Sequence, residues 1–283
     1  MIDNLFLSVG AMKAGTTWLY DKLRDHPDIY FTPEKEIHYF AHIDGVENQL
    51  DHRNRIIKLK SFLQRIANGN PAFIAENLEN LKWYAEYATD AQLNNDWYEQ
   101  LFRLNPGKKF CADFSNLYCR MSGYGWGNVR RIAKNIKVIY TLRDPLERVW
   151  SHYKFDMQWN GKGDSIIGAG FEYFKNALNQ AYFWGNAEYA KNIELLKQSL
   201  SDNELMILYF EDFRKEPLEM LRKIENFLGV SNKEYKVESI TGKINSSKDV
   251  SMPDEWAEYA KEKLQKESNL LMQKGFWKES WVS

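Results

Sequence analysis

The sequence predicts an α/β fold: a central parallel sheet with helices on both faces, opening on a strand–loop–helix of the phosphate-binding type. Short apolar runs alternate along the chain with stretches of helical period, the pattern of parallel strands joined by helical crossovers. The first of these units carries Gly10 and Gly15, spaced as in the pattern G-x-x-x-x-G-K-[ST]. The strand runs are short and bounded by turn chemistry, which suits buried strands.

The elements follow in order. "NLFLSVG" (Asn4 to Gly10) is short, apolar and bounded by turn chemistry, so it reads as a buried strand. From Thr16 the spacing of Trp18, Leu19 and Leu23 is helical, ending near "HPD". The stretch around 50–105 is polar and helical with interleaved aromatics, and reads as an insertion near the site within one domain of 1–283. "KFCAD" near Lys109 is a further strand candidate. "NIKVIYTL" (Asn135 to Leu142) is a buried strand, followed by a helix that Pro145 starts favourably. "KGDSIIGAG" (Lys162 to Gly170) is the most loop-like stretch. "ELMILYF" (Glu204 to Phe210) is a strand, and the amphipathic helix after it ends at Gly229.

Composition narrows the function. The chain has 283 residues, 44% of them hydrophobic, enough for a sizeable core. Its net charge of −1 gives no global basic field, so nucleic acid is not an expected partner. Cys111 and Cys119, without histidine or cysteine company, make neither a zinc signature nor a disulfide framework, and read as buried thiols in a reducing compartment. No apolar run approaches the roughly 20 residues of a membrane helix. No targeting segment is visible, so a soluble, cytoplasmic protein is expected. The ten tryptophans fit either an aromatic core or a cleft that stacks sugar or adenine rings.

The loop departs from the nucleotide pattern in one place. Thr17 stands where a hydroxyl is wanted, but Thr16 holds the lysine position and the lysine is upstream, at Lys13. A helix N-terminus offers unpaired N–H groups and partial positive charge. Ala14, Gly15, Thr16, Thr17 and Trp18 would supply those amides, with the threonine hydroxyls either binding or capping, and Lys13 a full charge. Three further stretches bear on the ligand. "TPEKEIHYF" (Thr32 to Phe40) gathers Glu34, Lys35, Glu36 and His38. "YTLRDPLERVWSHY" (Tyr140 to Tyr153) puts Arg143 at a strand end and Ser151 further along the helix. "YFEDFRKEPLEMLRKIENFLG" (Tyr209 to Gly229) is a strand, an acidic pair and a helix.

Together these stretches resemble the sulfotransferases that use 3′-phosphoadenosine-5′-phosphosulfate (PAPS), most closely the heparan-sulfate branch and its bacterial relatives. The resemblance implies that "KAGTTW" grips the 5′-phosphosulfate, with Lys13 at the oxygen bridging phosphorus and sulfur. It implies that Arg143 and Ser151 hold the 3′-phosphate, and that "KEIHYF" supplies the catalytic base. Glu36 is that base by resemblance, with His38 as rival; in an extended segment Glu36, His38 and Phe40 share one face. Arg148 reads as a structural ion-pair arginine. The acceptor is expected to be a hydroxyl of a saccharide, glycolipid or small metabolite, with PAPS as co-substrate and no metal. Two stretches depart from the family. "ADFSNLY" has Asp113 and Phe114 where relatives carry Glu and Lys, and Phe210 stands where some carry tyrosine against adenine. Lys248, with Lys243 and Ser247, lies where relatives close a basic loop over the 3′-phosphate. The rival readings are a P-loop small-molecule kinase, which needs magnesium and a triphosphate-reaching lysine, and a non-enzymatic nucleotide-binding module, which does not need Glu36 beside His38.

Overall fold

A computed structural model describes residues 1–47, 50–90, 92–241 and 250–281. Five parallel strands form one sheet: β1 (Ile2–Ser8), β2 (Ile29–Phe31), β3 (Phe110–Phe114), β4 (Ala133–Leu142) and β5 (Leu205–Tyr209), in the order β2-β3-β1-β4-β5. The chain builds one side of β1 and then crosses to the other at β4. The crevice between β1 and β4 at their C-terminal ends is therefore the switch point where such sheets bind ligands.

Both faces are covered. Leu5, Leu7, Val138 and Tyr140 point into one hydrophobic cluster. Phe6, Ala112, Phe114, Ile139 and Leu208 point into the other. The second cluster is closed by α1 (Thr16–Leu23) and by α13 (Pro217–Leu228), numbered in chain order with the helices below. Gly229 ends α13 in the left-handed conformation, φ +63°, as its sequence position implied.

Between β2 and β3 the described residues are mostly helical. After α2 (Tyr39–Ile43) come α3 (His52–Ala67), α4 (Pro71–Glu76), α5 (Leu78–Tyr87) and α6 (Asn95–Gln100). Asp51, Asn70 and Asn94 cap α3, α4 and α6 by accepting backbone N–H bonds. Aromatic pairs hold this layer together, Phe62 on Tyr84 at 4.2 Å and Trp83 on Tyr87 at 4.8 Å. Seven of the ten tryptophans are buried, so most of the aromatic content is core.

The remaining helices are α7 (Gly123–Ile132), α8 (Pro145–Trp159), α9 (Phe171–Leu178), α10 (Ala181–Gly185), α11 (Tyr189–Ser199), α12 (Phe210–Lys215), α14 (Val237–Thr241) and α15 (Asp254–Gln273). A third cluster joins α8, α9 and α15 through Trp150, Tyr153, Phe174 and Trp256. The loop-like stretch 162–170 is tied down: Ile166 is buried and its carbonyl accepts from the Tyr153 hydroxyl at 3.1 Å. Both cysteines are free and buried.

Candidate active site

The loop after β1 is an extension of the sheet. Val9 N–H donates to the Ile139 carbonyl (3.0 Å), Ala11 N–H to Thr141 (2.8 Å), and Thr141 N–H back to Gly10 (2.8 Å). The loop is thus fixed to β4, whose end delivers Arg143. Gly10 has φ +129° and Gly15 φ +88°, conformations open to glycine. Neither position has room for a side chain. A Cβ on Gly10 would sit 2.9 Å from the Asn116 carbonyl, and one on Gly15 2.7 Å from the Phe210 ring.

Gly15 is the cap residue of α1, so no side chain caps that helix, and its first turn holds no acidic residue. Neither threonine caps the helix. Thr17 Oγ1 accepts from Lys35 Nζ at 3.0 Å, and Thr16 is buried. The first-turn amides keep the anion-binding character of a helix N-terminus.

Cations surround it. Lys13 Nζ lies 4.5 Å over the Phe155 ring. Burial and then Arg143 push the Lys13 ammonium below the usual lysine range, against the attraction of Glu36. Arg143 donates from Nη1 to the Lys13 carbonyl (3.1 Å), pairs through Nη2 with Glu147 (3.2 Å) and lies 4.7 Å above the Phe210 ring. The residue standing in the place of the adenine-contacting tyrosine is therefore packed on the loop and its arginine.

Glu36 faces this group. Its Oε1 accepts from Asn116 Nδ2 at 3.0 Å and lies 3.7 Å from Lys35 Nζ; its Oε2 lies 3.8 Å from His38 Nε2. Burial works to raise the Glu36 carboxyl, but His38, then Lys35 and Lys58, outweigh it and hold the group at about 2. The extended geometry expected for this segment is not what forms. Glu36 has φ +63° and His38 φ +59°, and Phe40 turns away into the core within α2. The two side chains meet through this kinked backbone instead of along one strand face.

Among the described residues, the non-glycine positions with positive φ are Lys13, Glu36 and His38. Such conformations cost about 1–3 kcal/mol each and persist where surrounding bonds over-determine them. Those bonds are present. Glu36 N–H donates to the Phe114 carbonyl (3.1 Å), His38 N–H to Ser115 Oγ (2.9 Å), and the Lys13 carbonyl accepts from Arg143. Ser115 is set in turn by the buried Asp113, which also accepts from the Tyr98 and Tyr118 hydroxyls at 3.0 and 2.7 Å. The stretch "DFSN" is therefore a clamp on the 36–38 segment. Its role was missed in the sequence; the cue was three polar residues around a buried strand end.

The other expected site residues lie as follows. Trp18 stacks on Phe213 at 5.2 Å and packs the core, so its ring is committed there. Ser151 is buried on α8. Arg148 is fully buried, yet among the described residues it pairs with no carboxylate; its Nη1 lies 3.4 Å from His152 Nδ1. The ion-pair reading of Arg148 is corrected accordingly. Lys243, Ser247 and Lys248 lie outside the described residues. Among the described residues no cluster of His, Cys, Asp and Glu is placed to hold a metal, and no helix is long and apolar enough to cross a membrane.

A parallel sheet with this loop, these cations and a facing carboxylate defines the sulfotransferase class. The model of the Sulfotransferase family matches residues 6–234, and the chain belongs to that family. It is 30% identical over 156 residues to the membrane-associated sulfotransferase kil1 of Dictyostelium discoideum, covering 54% of this chain and 23% of that one. It is 23% identical over 189 residues to human carbohydrate sulfotransferase 15, covering 61% and 31%. The chain thus spans about a quarter to a third of the length of these relatives. The fold matches a sulfotransferase from Alicyclobacillus acidocaldarius, with TM-score 0.62, 21% identity and coverage of 95% and 94%. It also matches the sulfotransferase domain of the Synechococcus PCC 7002 olefin synthase, with TM-score 0.53, 17% identity and coverage of 94% of each chain.

Proposed function

We propose that this protein moves the sulfuryl group of PAPS to an acceptor hydroxyl and releases the bisphosphate product PAP. The observation that carries the reading is the convergence of Lys13, Arg143 and Glu36, from three separate segments, on the uncapped N-terminus of α1. The residues fit an anion with no metal of its own: open helix amides and two partly buried cations. PAPS supplies an activated sulfuryl group. The α1 amides hold its 5′-phosphate, and Lys13 meets the charge that grows on the bridging oxygen as the O–S bond breaks. Glu36 takes the proton of the acceptor hydroxyl as the new O–S bond forms. Asn116 and His38 fix the direction of that carboxylate.

Arg143 is assigned to the 3′-phosphate, a task suited to a planar guanidinium at a strand end. A saccharide is the favoured acceptor class. Phe155, under Lys13, stacks on Trp159 at 6.1 Å, and Trp159 is 80% exposed, so an aromatic pair leads from the catalytic lysine to solvent. The likeness to a carbohydrate sulfotransferase points the same way. A reducing, cytoplasmic setting suits the two free thiols.

Thermal-shift titration with PAP, AMP and ATP–magnesium tests the reading. PAP should stabilise the protein most, and Arg143→Ala should erase its advantage over AMP, which lacks the 3′-phosphate. Stabilisation by ATP–magnesium alone would replace this reading with a kinase. Labelled PAPS with a panel of saccharides then identifies the acceptor.

A further inference from the structure

We propose that Lys35 is a second cation at the 5′ end of the donor, gripping the sulfonate of the 5′-phosphosulfate from the side on which Glu36 lies. The inference rests on the sulfuryl-transfer reading above. Lys35 belongs to the base-bearing segment, yet its Nζ crosses to α1 and donates to Thr17 Oγ1 at 3.0 Å. It lies 3.7 Å from Glu36 Oε1 and 5.9 Å from the centre of the Tyr20 ring. Its side chain is only 18% exposed, so this is not a solvated surface lysine. Its backbone is held as well, because Lys58 Nζ donates to the Lys35 carbonyl at 3.3 Å.

The charge balance indicates what this ammonium is for. Lys13 and Lys35 are close enough to repel, and the carboxylate near both is Glu36, whose Oε1 and Oε2 already face Asn116 and His38. An anion at the α1 N-terminus is flanked by Lys13 from the loop and Lys35 from the base segment, which relieves that repulsion. An ammonium has three N–H donors, and Thr17 takes one. The position beside Glu36 puts the remaining donors where the sulfuryl oxygens pass between donor and acceptor. In the transfer, the bond from sulfur to the bridging oxygen breaks and leaves its electron pair there. The bond to the acceptor oxygen forms, and its proton goes to Glu36. Lys35 contacts the group that moves, whereas Lys13 contacts the oxygen that is left behind.

Calorimetric titration of PAPS and of PAP, without acceptor, separates the possibilities, because PAP lacks the sulfonate. Lys35→Met should weaken PAPS by about tenfold or more, as loss of a charge-assisted bond does, and leave PAP within about threefold. Lys35→Arg, which keeps the charge, should recover part of the loss. If PAPS and PAP weaken together, or neither changes, Lys35 does not grip the sulfonate and the inference is overturned. A wild-type protein that binds neither ligand overturns the sulfuryl-transfer reading itself, and the role of Lys35 with it.

Discussion

Glu36 poses the sharpest chemical question of any residue here. A carboxyl held at about 2 is ionised at neutral pH but weakly basic. The groups that hold it down are His38 first and then Lys35 and Lys58. In the proposed reaction an anionic donor at the α1 N-terminus would offset part of their effect and strengthen Glu36 as a base. The sign of the pH dependence follows. The interactions that lower the folded-state value favour the folded protein above the ordinary carboxyl value of 4.5, and are lost as pH falls toward about 2. Glu36→Gln should cut turnover by about 10² or more at saturating donor and acceptor, with PAP affinity nearly unchanged. His38→Asn removes the first of the groups that lower Glu36, so it should cost less and move the acid limb of the turnover profile upward. If His38→Asn abolishes turnover while Glu36→Gln keeps most of it, the imidazole is the base.

The elements show what a sequence can carry and what it cannot. Strands β1, β3, β4 and β5 were legible because each reads as a short, mostly apolar run bounded by turn chemistry. Strand β2 was not, because three residues at a sheet edge leave too short a run. The loop after β1 was legible because its glycines are a local requirement. The kinked backbone at Glu36 and His38 was not, because Phe114 and Ser115, 77 or more residues away, impose it. Gly15→Ala tests the local requirement. The new methyl group meets a positive φ and the Phe210 ring together. It should lower stability by about 1–2 kcal/mol, the cost of a left-handed alanine, or more if Phe210 cannot yield. PAP affinity should fall with it, since the amides of Thr16 and Thr17 shift. Unchanged melting and unchanged PAP binding would mean that the loop is looser than its hydrogen bonds imply.

Across the whole molecule the helical layer α3–α6 does more than cover the sheet. The net charge is only −1, so the positive field of the site is built locally, and this layer supplies part of it. Lys58 of α3 lies 3.6 Å from Glu34 Oε2 and donates to the Lys35 carbonyl. The Tyr84 hydroxyl of α5 donates to Glu34 Oε1, accepts from Arg65 Nη2 at 3.2 Å, and is steadied by the stack on Phe62. The layer therefore fixes the residues just before Glu36 from one side while "DFSN" fixes those at and after it from the other. Tyr84→Phe isolates this bracing, since the ring and its packing stay and a single bond to a carboxylate goes. Losing a hydrogen bond to a charged group costs about 1.5–3 kcal/mol, which melting should report. If the bracing reaches the chemistry, turnover should fall by about tenfold while PAP affinity stays within about threefold, because Glu34 touches the base segment and not the phosphate loop. A variant that melts earlier but turns over like wild type would make α3–α6 a packing layer only.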